Sequence, residues 1–302
     1  MSKMRTLRRI RKDKWLLLML IPGITFFVIF SYMPMYGLIM AFQNYSPFRG
    51  ISGSPFVGLK HFQNFFDNPY LTRIIRNTVL LSLYGLFWGF PAPIIFACLI
   101  NNVRQKPFKR VVQSVSYFPN FISIVILIGL LRMLTNQYGV VNSVIVWFGG
   151  EPIRFMQEAK WFRSLYIGSG IWQGVGFGSI VYLGAITGID PQLYEASRID
   201  GSTKMKDFVH ITIPSIMPTI TMFLILSASG IFSSDTAKIL LMYSPITYEV
   251  SDVIGTYMFR LGIEQTNLSF STAVGLMQSI IGCVLVFGAN WLSRRVSEHS
   301  LW

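Results

Sequence analysis

Between two long apolar runs, residues 190–214 mix acids, bases, hydroxyls and an amide in one short polar segment. Glu195, Asp200 and Asp207 bring carboxylates, and Arg198, Lys204 and Lys206 bring cations. Such a mix marks a segment that lies outside the apolar phase, and the chain holds no pattern for bond-making. There is no G-x-x-x-x-G-K-[ST] phosphate cradle, no G-x-S-x-G and no H-E-x-x-H. His61, His210 and His299 stand far apart in loops, so they read as solvated side chains and no metal ligation is expected. Cys98 and Cys283 fall in apolar runs and read as small apolar side chains, not a disulfide framework. No cofactor is called for.

The polar segment has a clear local grammar. Asp190 can accept a bond from a free backbone N–H of a first helical turn. Pro191 follows where its missing N–H costs nothing. Residues 192–200 suit about two and a half turns. Gly201 then offers the cheapest left-handed stop. Ser202 can cap a second short helix, and Pro214 opens the next apolar segment. The expectation is a helix, a sharp break and a second helix, all outside the apolar phase.

Composition sets that phase. The chain is 52% hydrophobic and 13% charged, with a mean hydropathy of +0.50. Soluble domains carry about 25% charged residues. A charge content this low fits a protein solvated mainly by lipid. The formal net charge is +13, which in a soluble protein would point to nucleic acid. Its placement excludes that reading: seven cations crowd into residues 1–14, just ahead of an apolar run, as in a basic cytoplasmic anchor beside anionic lipid.

Six spans follow, at about 15–40, 77–101, 111–135, 164–189, 215–233 and 271–292, ahead of a short tail at 293–302. A span needs about 20 residues to cross the hydrocarbon. With the N-terminus inside, 16 of the 26 basic residues fall in inner segments and 9 in outer loops, Arg132 lying near the outer end of the third span. Both termini and residues 190–214 are therefore expected in the cytoplasm. No Asp or Glu lies within any of the six spans, which argues against an ion-coupled carrier with its site at membrane depth. A membrane-embedded enzyme would need acidic or histidine clusters at the membrane edge, and none appears.

Glu195-Ala196-Ser197, Gly201 after three residues, and Ile211-Thr212-Ile213-Pro214 after nine more resemble the EAA loop of bacterial ABC importer permeases, E-A-A-x3-G-x9-I-x-L-P. Ser197 replaces the second Ala and Ile213 replaces Leu. Other stretches resemble the sugar branch of that family: Phe56-Val57-Gly58-Leu59-Lys60-His61-Phe62, Asn77-Thr78, Tyr117-Phe118-Pro119, Gly139 with Asn142, Asp252-Val253-Ile254-Gly255-Thr256-Tyr257, Ala273-Val274-Gly275-Leu276 and Ser300-Leu301-Trp302. Together they cover about 33–302 and are similar to a subgroup that takes larger oligosaccharides, including uronate-containing ones.

The resemblance implies an all-α membrane protein, the six-helix transmembrane domain of a type I ABC importer with a cytoplasmic EAA coupling loop, in a bacterial plasma membrane. It implies a non-catalytic permease that pairs with a second, homologous permease. Two separate ATPase subunits would supply the work and an extracytoplasmic binding protein the oligosaccharide. The coupling residues would be Glu195, Ala196, Ser197, Asp200, Gly201, Ile211 and Pro214, with Glu195 meeting a basic group of an ATPase and Ala196 and Ser197 allowing close approach. The pathway would draw on aromatic, amide and hydroxyl groups at membrane depth: Trp172, Gln173, Phe177, Tyr182, Ser227 and Ser229. A non-sugar ABC importer is the nearest alternative, and an ion-coupled secondary carrier the next.

Overall fold

The computed structural model describes residues 14–232 and 234–296, apart from the side chains of 14, 16, 17, 228, 229, 232 and 292–296. The basic stretch 1–13, His299 and the closing 297–302 lie outside the described residues. The described chain is almost wholly helical, its only β feature being one isolated bridge between Gln43 and Phe56.

In chain order, α1 is Lys14–Phe27, continued by a π turn at Val28–Tyr32 and a 3-10 stretch at Met33–Phe42. α2 (Lys60–Phe66) and α3 (Leu71–Tyr84) follow, then a π turn at Gly85–Gly89 and α4 (Pro91–Asn101). α5 is Lys106–Tyr117, α6 Ile124–Thr135, α7 Val140–Trp147 and α8 the long Ala159–Thr187. α9 (Pro191–Ile199) and α10 (Lys204–Asp207) precede a π turn at Phe208–Thr212 and α11 (Ile213–Ala228). α12 (Thr236–Met242), α13 (Tyr248–Ser251), α14 (Ile254–Phe259) and α15 (Leu268–Val296) complete the chain.

Five helical runs among the described residues are long and apolar enough to cross a membrane: 18–42, 71–101, 124–147, 204–227 and 268–291. They differ from the expected spans for physical reasons. The second begins six residues early, because Arg73 and Arg76 ride on the polar first turns of α3. The expected third span is cut by a 3-10 turn at Phe118–Phe121, where Pro119 cannot donate to a helical ladder. The fifth reaches back to Lys204, since the π turn joins α10 to α11 and no break precedes Pro214. α8 has 29 residues, about 43 Å of helix, but is diluted by glycine and serine and is not among the five.

The chain divides into two compact units. In the first, residues up to 67 with 261–276, His61 is buried and its Nε2 lies 3.0 Å from the Gln43 carbonyl. The expectation of a solvated histidine fails there, because the helix start turns the ring onto that backbone. Ser269 Oγ accepts from the Tyr45 N–H at 2.8 Å, and Phe65 meets the Phe270 ring.

The second unit, residues 68–260 with 277 onward, has two apolar clusters. Leu81, Leu127, Ile128, Phe162, Ile239, Met242 and Val253 form one, and Ile94, Ala97, Cys98, Tyr182, Ile186 and Ile216 the other. α8 runs through both. It approaches α5 so closely at Gly176 that a Cβ would overlap the Ser116 carbonyl, and Gly178 faces the Pro93 ring. Cys98 packs inside while Cys283 is exposed on α15, and both are free thiols.

A polar knot pins α13 and α14 to α3. The fully buried Asp252 takes Arg260 at 2.8 Å and Arg73 at 3.2 Å on one oxygen and Thr256 Oγ1 at 3.0 Å on the other. Asn77 donates to the carbonyls of Glu249 (2.9 Å) and Asp252 (3.1 Å), and Thr78 Oγ1 accepts from the Ile254 N–H at 3.0 Å. Nearby, buried Lys238 donates to the Tyr166 carbonyl at 2.7 Å, and burial pushes its ammonium down to about 8. Removing the carboxylate should strand two arginines that are themselves only partly exposed. Asp252→Ala is therefore expected to cost about 2–3 kcal/mol, seen as a lowered thermal midpoint of the detergent-solubilised protein, with Asp252→Asn intermediate.

Candidate functional site

The site is built on α9. The Asp190 carboxylate accepts from the Gln192 N–H at 2.9 Å, and Pro191 occupies the first helical position. At the other end the Gly201 N–H reaches the Arg198 carbonyl (3.1 Å) and the Ser202 N–H the Ser197 carbonyl (3.0 Å). That pair of bonds is a Schellman stop, and it needs a left-handed residue, which Gly201 supplies at φ +72°. The helix thus ends within a residue of its expected limits. Thr203, not Ser202, caps the next helix, its Oγ1 accepting from the Lys206 N–H at 3.4 Å. Gly201 and Ser202 are used up in turning the chain, so the cap moves one residue on.

Two side-chain bonds strap α9 to the helical run that follows. Ser197 Oγ donates to Asp207 Oδ1 at 2.6 Å, and the Tyr194 and Thr212 hydroxyls meet at 2.9 Å. Asp207 and Thr212 are buried, and the Thr212 hydroxyl also donates to the Asp207 carbonyl at 3.4 Å. The residue that departs from the EAA pattern is therefore more than small: it carries the strap. Its contact with Asp207 could not be read from the sequence, because a contact ten residues away leaves no periodic signal.

The outer surface of this loop is open. Glu195, Ala196, Asp200 and Pro214 are exposed and Ile211 is half-buried. Among the described residues the ion pairs are Arg73–Asp252, Arg260–Asp252 and Lys160–Glu158, so Arg198 leaves the Glu195 carboxylate unengaged. A cleft of about 370 Å³ opens beside it, lined by Arg104, Tyr194, Glu195, Arg198 and Lys204 among others. Leu193, Ile199 and Met205 add apolar surface that the sequence reading passed over, Ile199 being 87% exposed. An exposed isoleucine on so polar a segment was its available signal.

The six residues assigned to a pathway do not form one cluster. Trp172 and Phe177 are half exposed on α8, and Phe177 meets Phe121 edge-on. Gln173 donates to the Ile122 carbonyl at 3.0 Å, at the break between α5 and α6. Tyr182 is buried in the second apolar cluster against Phe223. Ser227 is exposed and donates to the Phe223 carbonyl at 2.8 Å, while the Ser229 side chain lies outside the described residues. No group of three or more His, Cys, Asp or Glu among the described residues could hold a metal.

Residues 89–298 match the family model of the binding-protein-dependent transport system inner membrane component, a range that includes α9, its straps and the whole second apolar cluster. The chain belongs to that family. This permease is 40% identical over 302 residues to the polygalacturonan/rhamnogalacturonan transport system permease protein YteP of Bacillus subtilis (strain 168), covering 100% of this chain and 94% of that protein. It is 39% identical over 294 residues to protein LplB of the same organism, covering 97% and 92%. It is similar to a chain in the crystal structure of a bacterial alginate ABC transporter in complex with alginate pentasaccharide-bound periplasmic protein: TM-score 0.90, 40% identity, 98% of this chain and 100% of that one. A second structure, of a bacterial ABC transporter involved in import of the acidic polysaccharide alginate, gives 0.89 and 41% over 97% and 99%. The permease is thus a multi-pass transport component with the type I ABC importer fold.

Substitutions at two positions separate the stop of α9 from its strap. Gly201→Asn should keep most transport, since Asn tolerates a left-handed backbone and no atom lies within 4 Å of the added Cβ, whereas Gly201→Val should lose most of it. Ser197→Ala removes a bond worth about 1 kcal/mol. Amide exchange across 192–199 should speed up about fivefold, and unchanged exchange would show that the strap does not hold the helix.

Proposed function

We propose that this chain is one of two homologous permease subunits of an ATP-driven importer for oligosaccharides. A binding protein delivers the sugar on the outer face and two separate ATPase subunits drive passage, the chain itself being non-catalytic. The single observation that carries the reading is likeness over whole length, at about 40% identity, to a permease named for polygalacturonan/rhamnogalacturonan transport and to a chain of an alginate ABC transporter.

Six crossings fit this function. To the runs at 14–42, 71–101, 204–228 and 268–296 we add α5 through α6, broken at Pro119, and α8, whose 29 residues exceed the ~20 that a crossing needs. Inner loops then carry most of the basic residues, with both termini and residues 190–214 in the cytoplasm. The plasma membrane is the natural site for such an inner-membrane component.

α9 is then the coupling helix. Its cap and glycine stop keep it short, and the straps from Ser197 and Tyr194 join it to the run that crosses through α11. An ATPase would cover Leu193, Ile199 and Met205, and Glu195 would meet a basic group there. When the ATPases close on ATP, they would displace α9, and the straps would pass that motion to the crossing helices. Around the break at Ile122, Gln173 and Phe177 of α8 stand near Phe121, and with Trp172 and Ser227 they offer the amide, hydroxyl and aromatic faces that sugars use. Tyr182 serves that path from behind, by packing, and Ser229 stays with it as a residue of the 3-10 turn Ser229–Phe232.

The test is reconstitution in nanodiscs of this permease with its partner permease and ATPases. A binding protein loaded with oligosaccharide should stimulate ATP hydrolysis and uptake. Ile199→Asp should cut the stimulated rate at least tenfold and weaken retention of the ATPases, while the chain still inserts. Sugar uptake without any ATPase, or full stimulation of the Ile199→Asp complex, would defeat the reading.

A further inference from the structure

A second cleft, of about 490 Å³, lies between the end of α3 and the first half of α8. Tyr84 and Trp88 line one side, Lys160, Arg163 and Ser164 the other, with Gly168 behind. Trp88 is 59% exposed and presents a broad aromatic face. Arg163 holds its place through one long bond, from Nη2 to Asn77 Oδ1 at 3.3 Å, and its buried Nε–H has no partner. Asn77 cannot yield, since its amide is fixed on the carbonyls of Glu249 and Asp252. An arginine has five donors in a planar fork that suits a carboxylate. Here the fork is anchored and mostly unspent.

The charge balance runs the same way. Arg73 and Arg260 share the one Asp252 carboxylate, while Arg163, held by Asn77, has no carboxylate partner among the described residues. Lys160 is paired with Glu158 at 2.8 Å, but it is largely exposed, and such a pair is easily exchanged. Cations above an aromatic wall are what an acidic sugar needs: the carboxylate on the fork, the apolar face of the ring on the indole.

We propose that this cleft binds a uronate residue of an acidic oligosaccharide, its carboxylate on Arg163 and Lys160 and its ring face on Trp88. The proposal rests on the importer reading above and sharpens it, because it makes this permease select for negative charge rather than merely pass what the binding protein brings. The arginine knot behind Asn77 raises the potential of the cleft, and Tyr84 and Ser164 supply hydroxyls for the sugar.

The experiment uses the full complex in phosphatidylcholine nanodiscs, which hold no anionic headgroup to compete for the cleft. ATP hydrolysis and uptake are followed against alginate pentasaccharide, trigalacturonate and a neutral pentasaccharide, each with a binding protein that carries it. Arg163→Gln should raise the half-saturating concentration at least tenfold for the acidic sugars and less than twofold for the neutral one. Arg163→Lys should fall between, and Lys160→Gln should raise it about threefold for acidic sugars alone. Equal loss for acidic and neutral sugars, or no loss for either, overturns the site. If Arg163→Gln fails to assemble, Lys160→Gln decides by the same criterion. A wild-type complex stimulated by neutral sugars and inert to acidic ones overturns the site and leaves the importer standing. Inertness to every sugar overturns both.

Discussion

A short helix can pass displacement to a membrane domain only if it cannot swivel where it joins. In this chain that condition falls on one hydrogen bond, from Ser197 to Asp207, backed by the Tyr194–Thr212 contact. A carboxylate buried at the start of a transmembrane run is costly unless it is answered, and Ser197 answers it from the helix that would be pushed. Separating α9 from the run would take away the first of the hydroxyls that hold this acid ionised, the other being Ser202, so the two are held together. The glycine stop has the opposite role. It makes a sharp turn that strains no side chain, and it sets the length of α9 without adding a contact of its own.

The second polar knot, around Asp252, obeys the same rule at a different place. The buried Asp252 and the guanidiniums of Arg73 and Arg260 could not be taken from water singly. They are tolerated because Asn77, Thr78 and Thr256 spend their hydrogen bonds on the same few groups. The result fixes α13 and α14 against α3.

Local grammar and long-range contact were unequally legible. Asp190, Pro191 and Gly201 act on backbone groups within four residues, so the limits of α9 could be read from types and spacing. The composition and apolar runs likewise announce a helical membrane chain. What failed to show was whatever depends on partners far along the chain. Asn77-Thr78 and Asp252 are recognisable as a pattern, but only folding shows that they bond across more than 170 residues. His61 looked like a loop residue and proves to be buried on a backbone carbonyl. Ser197 looked like a mere substitute for alanine, and Ser202 took the cap that belongs to Thr203. Span limits slipped for a related reason: hydropathy marks where lipid begins, whereas helices start earlier, on polar turns such as that of Arg73.

The breaks in the helices complete the physical account. Pro22 and Pro218 sit inside α1 and α11 without ending them, while the chain before Pro91 and around Pro119 abandons regular α geometry. In hydrocarbon each carbonyl freed at such a break needs a donor from the protein, because water cannot supply one. Gln173 is that donor for Ile122. An amide held in place by a backbone defect is poorly free to follow a substrate, yet well placed to change partner when the defect moves. The close crossing at Gly176, where α8 lies on the Ser116 backbone, ties the same break to the helix that carries Trp172 and Phe177. Any shift of α5 must therefore alter the amide and the aromatic faces together. Opening of the sugar path and loosening of its grip on the sugar would then be one event, driven from α9 through helices that leave no room to slide independently.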